Sequence, residues 1–161
     1  MSDSDKDKNP VPQGIEICFD LDAGTQEFYS DTTYYDYEFR SRTADIEFYQ
    51  QHYLDCEVWA LEIGVGTGRI AIPAIRSGAQ IIGLDPHAGM LQAATKHREQ
   101  LTKAQRTRLR FLNADVRDFD AGQQFNLITC PFNVLQHMYD HEDIEQALQN
   151  IHKHLALGGL L

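Results

Sequence analysis

The 161-residue chain has no long apolar run, no paired cysteines and no surplus of positive charge, and each absence removes a class of protein. No stretch approaches the roughly 20 apolar residues that span a bilayer, so no membrane partner is expected. The opening MSDSDKDKNPVPQG lacks the apolar centre of a secretory signal, which makes the cytoplasm the expected compartment. Cys18, Cys56 and Cys130 are scattered and form no C-x-x-C, which argues against a disulfide framework and a thiolate zinc site. Fourteen basic against 24 acidic side chains give a formal charge of -10. Such a surface repels polyphosphate, and no nucleic-acid partner is expected. Internal repeats are also lacking, and the length suits one domain with a real core.

What the chain does have is concentrated between Val58 and Ala94, VWALEIGVGTGRIAIPAIRSGAQIIGLDPHAGMLQAA. An apolar run of strand length, Val58–Ile63, leads into Gly64, Gly66 and Gly68, and a helical pattern follows. A second apolar run, Gln80–Leu84, ends in Asp85, and another helix pattern begins at His87. Strand, glycine turn, helix, strand and acid is the layout of a site for an adenosine-bearing cofactor. The dinucleotide fingerprint G-x-G-x-x-G fails, because its third glycine position, counted from Gly64, is Arg69.

The motif that stands here, Glu62-x-Gly64-x-Gly66-x-Gly68, resembles motif I of the class I, Rossmann-like S-adenosylmethionine-dependent methyltransferases. The resemblance covers Asp36 to the C-terminus. It implies an α/β fold with a Rossmann-like parallel sheet flanked by helices, and S-adenosyl-L-methionine as cofactor. It also implies that the glycine turn lies against the amino-acid and ribose parts of that cofactor, with Glu62 orienting the methionine end. Asp85 would accept from both ribose hydroxyls, followed by Pro86 and Met90. Asp115 and Val116 would hold the adenine, the carboxylate taking the exocyclic amine. Cys130, at the end of a later strand, completes the implied cofactor set. From the residues alone, Asp85 could also serve as a helix cap and Asp115 as an ordinary Asx turn.

The remaining elements follow from pattern. Residues 1–14 are too polar to fix themselves and should be a disordered acidic tail. Residues 15–56 should form an N-terminal unit, and 57–161 the cofactor-binding core. Ile15–Asp22 alternates as a half-buried strand. Glu27–Phe39 is crowded with tyrosines and looks like an aromatic lid over the cofactor, with Tyr37 the ring assigned to it; the alternative is plain packing glue. Thr43–Leu54 reads as a helix with Ile46, Tyr49, Tyr53 and Leu54 inward. Gly68–Ser77 is a helix kinked at Pro73. Strands are expected at Arg108–Leu112 and Phe125–Cys130. Asp140–Leu155 has the clearest helical period, capped by Gly158-Gly159, with Leu160-Leu161 opening a fifth strand.

Methyl transfer asks mainly for alignment and exclusion of water. A hydroxyl or ammonium acceptor also needs a base, and His137 is the catalytic candidate because histidine titrates near neutrality. His137 and His141 are four apart, but Asp140 should start a helix between them, so no metal is expected. Cys130-Pro131-Phe132-Asn133 lacks the pattern of nucleic-acid amino-methyltransferases, which leaves a small-molecule methyl acceptor. The family's C-terminal strands are missing, so the chain reads as truncated. The unpaired edge this implies suggests a homodimer. The rival reading is a non-catalytic S-adenosylmethionine-binding or regulatory module.

Overall fold

The computed structural model describes residues 29–161. The expected tail and the Ile15–Asp22 strand lie outside the described residues. Two helices come first, α1 (Thr32–Phe39) and α2 (Ala44–Asp55). Alternation then takes over: β1 (Ala60–Ile63), α3 (Ala71–Ser77), β2 (Ile81–Asp85), α4 (Ala88–Glu99), a single turn α5 (Lys103–Arg106) and β3 (Leu109–Asn113). The chain continues through β4 (Phe125–Thr129), a 3₁₀ turn at Val134–His137, α6 (His141–His154) and β5 (Leu155–Leu160). The five strands run parallel in the order β3-β2-β1-β4-β5. That order reverses direction between β1 and β4, which is where open sheets of this kind offer a crevice.

Every residue of β1 and β2 is buried, as expected of central strands covered on both faces. Alternate side chains feed two cores. Ala60 and Ile81 join Tyr53 of α2 and Ile72 and Ile75 of α3 on one face. Leu61, Ile63 and Leu84 join Phe125, Ile128 and the α6 residues Ala147 and Ile151 on the other.

Three local expectations need correction. Leu54 is 40% exposed, because α2 turns Tyr53 inward and carries its neighbour out. Pro73 does not kink α3: the helix starts at Ala71, so Pro73 stands in the first turn, where no intrahelical partner exists for an N–H. Gly158 and Gly159 do not cap α6. The helix ends at His154, Leu155 is already extended, and it pairs with Phe125 as the first residue of β5. The glycines instead absorb a register irregularity opposite Phe125 and Leu127. Gly158 has φ +77, and a Cβ at Gly159 would stand 3.0 Å from the Phe125 carbonyl oxygen.

Candidate functional site

A cleft of about 410 Å³ opens at the carboxyl ends of the central strands. Its floor begins with the turn after β1. The Gly64 and Val65 N–H groups donate to the Leu84 carbonyl at 2.7 and 3.0 Å, which binds the turn to the end of β2. Gly66 follows in a left-handed conformation (φ +55), which a residue without Cβ adopts at no steric cost. Among the described residues a Cβ there would meet only the Tyr35 hydroxyl, 4.0 Å away, which leaves open space over Gly66. At Gly64 the opposite holds: a Cβ would fall 2.3 Å from Val134 Cγ2, so that glycine seats the 3₁₀ turn.

Asp85 closes this side. Gly66 N–H donates to its Oδ2 at 2.9 Å and His87 N–H to its Oδ1 at 2.8 Å. Each oxygen keeps a lone pair for a further donor. Burial raises the pKa of the carboxyl above its ordinary value, and the two N–H bonds only partly offset that. His87, not Asp85, caps α4, its Nδ1 accepting from Met90 N–H at 3.3 Å.

Asp115, past the end of β3, has a different setting. Its Oδ1 accepts from the N–H and the Nε of Arg117, each at 2.9 Å, and its Oδ2 accepts from Arg117 Nη2 at 2.8 Å. The third guanidinium nitrogen, Nη1, reaches Asp143 Oδ2 in the first turn of α6 at 2.9 Å. Arg117 therefore holds the Asp115 carboxyl below the usual carboxylate range.

Of the residues singled out by sequence, Gly64, Gly66, Asp85, Pro86, Met90, Asp115, Val116 and His137 line this one cleft. Tyr37, Glu62, Gly68 and Cys130 are not among its walls. Tyr37 is 60% exposed and lies under the Arg40 guanidinium, because the phase of α1 turns Tyr35 and Phe39 inward instead. Gly68 is a packing glycine, its missing Cβ leaving room for Ile72 Cγ1 at 3.0 Å. Cys130 packs against the second core, where burial pushes its thiol up to about 11. Glu62 is fully buried under the sheet, accepting from the Tyr53 hydroxyl at 2.7 Å, and that hydroxyl also meets Thr129 Oγ1 at 2.5 Å. Burial raises the Glu62 carboxyl to about 8. It ties α2 to β1 and β4 and does not reach the cleft.

The aromatic segment expected over the cofactor does line the cleft, but through Tyr29 and Tyr35 and not Tyr37, joined by Phe132, which sequence reasoning missed. Tyr35 is 8% exposed, and burial pushes its phenol up to about 12. Its ring packs on Tyr29, Phe39 and Phe132 at centroid distances of 5.9, 4.8 and 6.4 Å. The Tyr29 hydroxyl lies 2.8 Å from His137 Nε2. Phe132 and Asn133 both have positive φ, +60 and +63, a strained backbone that delivers the Phe132 ring to the wall. A signal for Tyr35 existed: Asp31 caps α1 through Thr33 and Tyr34 N–H, and phasing the helix from that cap puts Tyr35 and Phe39 on one face. The covering segment is fastened to the glycine turn. Thr67 donates to Asp36 at 2.6 Å, and Arg69 pairs with Asp45 while donating to the Arg42 carbonyl at 2.7 Å.

These walls fit an adenosine-bearing ligand without polyphosphate. An open backbone cradle and an acceptor carboxylate meet the apolar side chains of Met90, Pro86 and Val116. Among the described lining residues the one Lys or Arg is Arg117, already engaged by two carboxylates.

Comparison with known proteins agrees. A family described as methyltransferase domain matches residues 61–161. The ubiquinone biosynthesis O-methyltransferase of Rhodopseudomonas palustris is 32% identical over 80 residues, half of this chain and 30% of that enzyme. The glycine/sarcosine N-methyltransferase of Parasynechococcus marenigrum is 27% identical over 104 residues, covering 63% of this chain and 35% of that one. Among solved structures, the glycopeptide N-methyltransferase MtfA complexed with S-adenosyl-L-methionine superposes with a TM-score of 0.66 at 20% identity, over 73% of this chain and 51% of that one. Streptomyces venezuelae DesVI gives 0.65 at 20% identity, over 81% and 54%. At such identities the likeness establishes the fold. The chain spans about a third of the length of these curated relatives and about half of these solved ones.

Proposed function

The chain belongs to the methyltransferase-domain family, and we propose that it binds S-adenosyl-L-methionine in this cleft and transfers the methyl group to a small-molecule acceptor. The observation that carries the reading is the pairing of Gly66 with Asp85: an open backbone cradle whose own N–H anchors a buried, still receptive carboxylate. When bound, the cofactor supplies a methyl group on a sulfonium that is already activated. Asp85 is suited to the ribose hydroxyls, Met90, Pro86 and Val116 to the flat base, and the Asp115 region to its amine. Tyr29, Tyr35 and Phe132 exclude water from the same space. His137 lines the cleft and is suited to take a proton from a hydroxyl or ammonium acceptor, with the Tyr29 hydroxyl 2.8 Å from its Nε2 to hold the ring in place.

The O- and N-methyltransferases among the relatives support a small acceptor, and the formal charge of -10 supports the absence of a nucleic-acid one. No described helix is long and apolar enough to cross a membrane, and a cytoplasmic setting belongs to the same proposal. So does pairing of two copies along β5, where Leu157 and Leu160 are exposed. A strictly monomeric sedimentation profile at micromolar concentration would contradict that part. The other reading is a binding module without turnover.

Release of S-adenosylhomocysteine in the presence of small phenol and amine acceptors separates the two readings. We expect release, and we expect His137→Gln to slow it about 10²-fold or more while leaving cofactor affinity unchanged. Wild-type rates in that variant would reduce His137 to a wall of the cleft.

A further inference from the structure

The Asp115–Arg117–Asp143 network makes demands that a simple adenine-accepting carboxylate would not. Asp115 Oδ1 already accepts two bonds and Oδ2 one, all from Arg117. Since a carboxylate offers about four acceptor sites, one remains, on Oδ2. The carboxylate is thus ionised, fixed in one rotamer and able to accept a single further donor. Arg117 in turn has its fork on Asp115 and its remaining nitrogen on Asp143, at 2.9 Å. Asp143 belongs to α6, so the network spans the cleft from the loop after β3 to the helix before β5. All three side chains line it.

We infer that Arg117 is a positioning residue that makes the cleft selective for a 6-aminopurine over a 6-oxopurine, and that Asp143 enforces this by keeping the guanidinium turned away from the base. The inference rests on the cofactor reading above. A 6-amino group presents a donor to the one open site on Asp115. A 6-oxo group presents an oxygen to a carboxylate oxygen, which is repulsive unless a guanidinium N–H swings in to receive it. Three of the five guanidinium N–H groups bind the two carboxylates, and this fixes the orientation of Arg117 so that it does not swing toward the base. Selectivity then comes from a fixed acceptor and from a donor withheld, two separate contributions.

The two contributions can be removed one at a time. Calorimetric dissociation constants for S-adenosylhomocysteine and S-inosylhomocysteine are measured on the full chain, on Arg117→Met and on Asp143→Ala. The unaltered chain should prefer the adenosyl compound by tenfold or more. Arg117→Met frees Asp115 to rotate and should cut that preference at least threefold, mostly by weakening the adenosyl compound. Asp143→Ala should also cut it at least threefold, by strengthening the inosyl compound, since Arg117 becomes free to donate. A preference ratio unchanged in both variants, with circular dichroism showing them folded, would overturn the inference while leaving the cofactor reading intact. Failure of the unaltered chain to bind either compound would overturn both. Should Arg117→Met not fold, the Asp143→Ala ratio decides alone.

Discussion

Asp85 and Asp115 occupy equivalent places, each at or just past the carboxyl end of adjacent parallel strands, and both line the same cleft. Their surroundings push them in opposite directions. Asp85 is 7% exposed and held by two neutral N–H groups, and burial raises its pKa. Asp115 is about a third exposed in its side chain and held by a guanidinium, which lowers its pKa. The same residue at the same kind of position thus becomes two different tools. One is a desolvated acceptor whose bonds to a ligand are worth their full strength. The other is already neutralised, and its remaining bond to a ligand is worth that of an ordinary one. Its ion pair with Arg117 is itself partly exposed and adds at most about 1 kcal/mol to stability.

The largest break in this comparison comes from Gly66, which donates to Asp85 and leaves the space above open. Gly66→Val should abolish measurable binding of S-adenosylhomocysteine. Its strained positive φ costs about 1–2 kcal/mol of stability, which the fold should survive. Full affinity in that variant would mean that the glycines serve packing alone. Next, Asp85→Ala should weaken binding by about 1.5–3 kcal/mol, and Asp115→Ala by about 1 kcal/mol. Equal losses, or a reversed order, would remove the distinction between the two carboxylates.

Acid sharpens the comparison further. Protonation removes the acceptor, and the raised Asp85 carboxyl takes up its proton before Asp115 does as pH falls. Affinity should therefore begin to drop above the ordinary carboxylate pKa of about 4. Asp85→Asn should lower affinity overall and erase this acid limb. An unchanged limb in the Asn variant would assign it to another group.

The smallest effect concerns stability and a third acid, outside the cleft. Glu62 has a folded pKa raised to about 8, so between its unfolded value and 8 the unfolded chain gives up the proton that the folded chain keeps. Fewer protons bound in the unfolded state means that stability falls as pH rises through this window. Glu62→Gln should flatten that slope in melting temperatures taken from pH 5 to 8. A slope unchanged in the variant would show that Glu62 is not its source.

Much of this was legible in the sequence because it is local. Strand and helix alternation fixes a parallel sheet, and strand ends then gather Gly66, Asp85 and Asp115 without any knowledge of packing. What was not legible depends on partners far along the chain or on phase. Tyr37 and Tyr35 are two residues apart in one aromatic run, and only the start of α1 decides which faces in. Glu62 looked like a cofactor ligand because nothing in its own strand announces Tyr53 and Thr129 as its partners. Arg117 sits two residues from Asp115, but its significance lies in Asp143, 26 positions further on α6. The glycines Gly158 and Gly159 resembled a helix stop, and only the pairing of Leu155 with Phe125 shows them inside β5.

Whether this cleft receives adenosine without polyphosphate is decided by calorimetric titration of the full chain with S-adenosylhomocysteine, followed by competition with NAD. We expect saturable one-site binding of S-adenosylhomocysteine that NAD does not displace. Displacement by NAD, or no heat of binding from the folded chain, would contradict it.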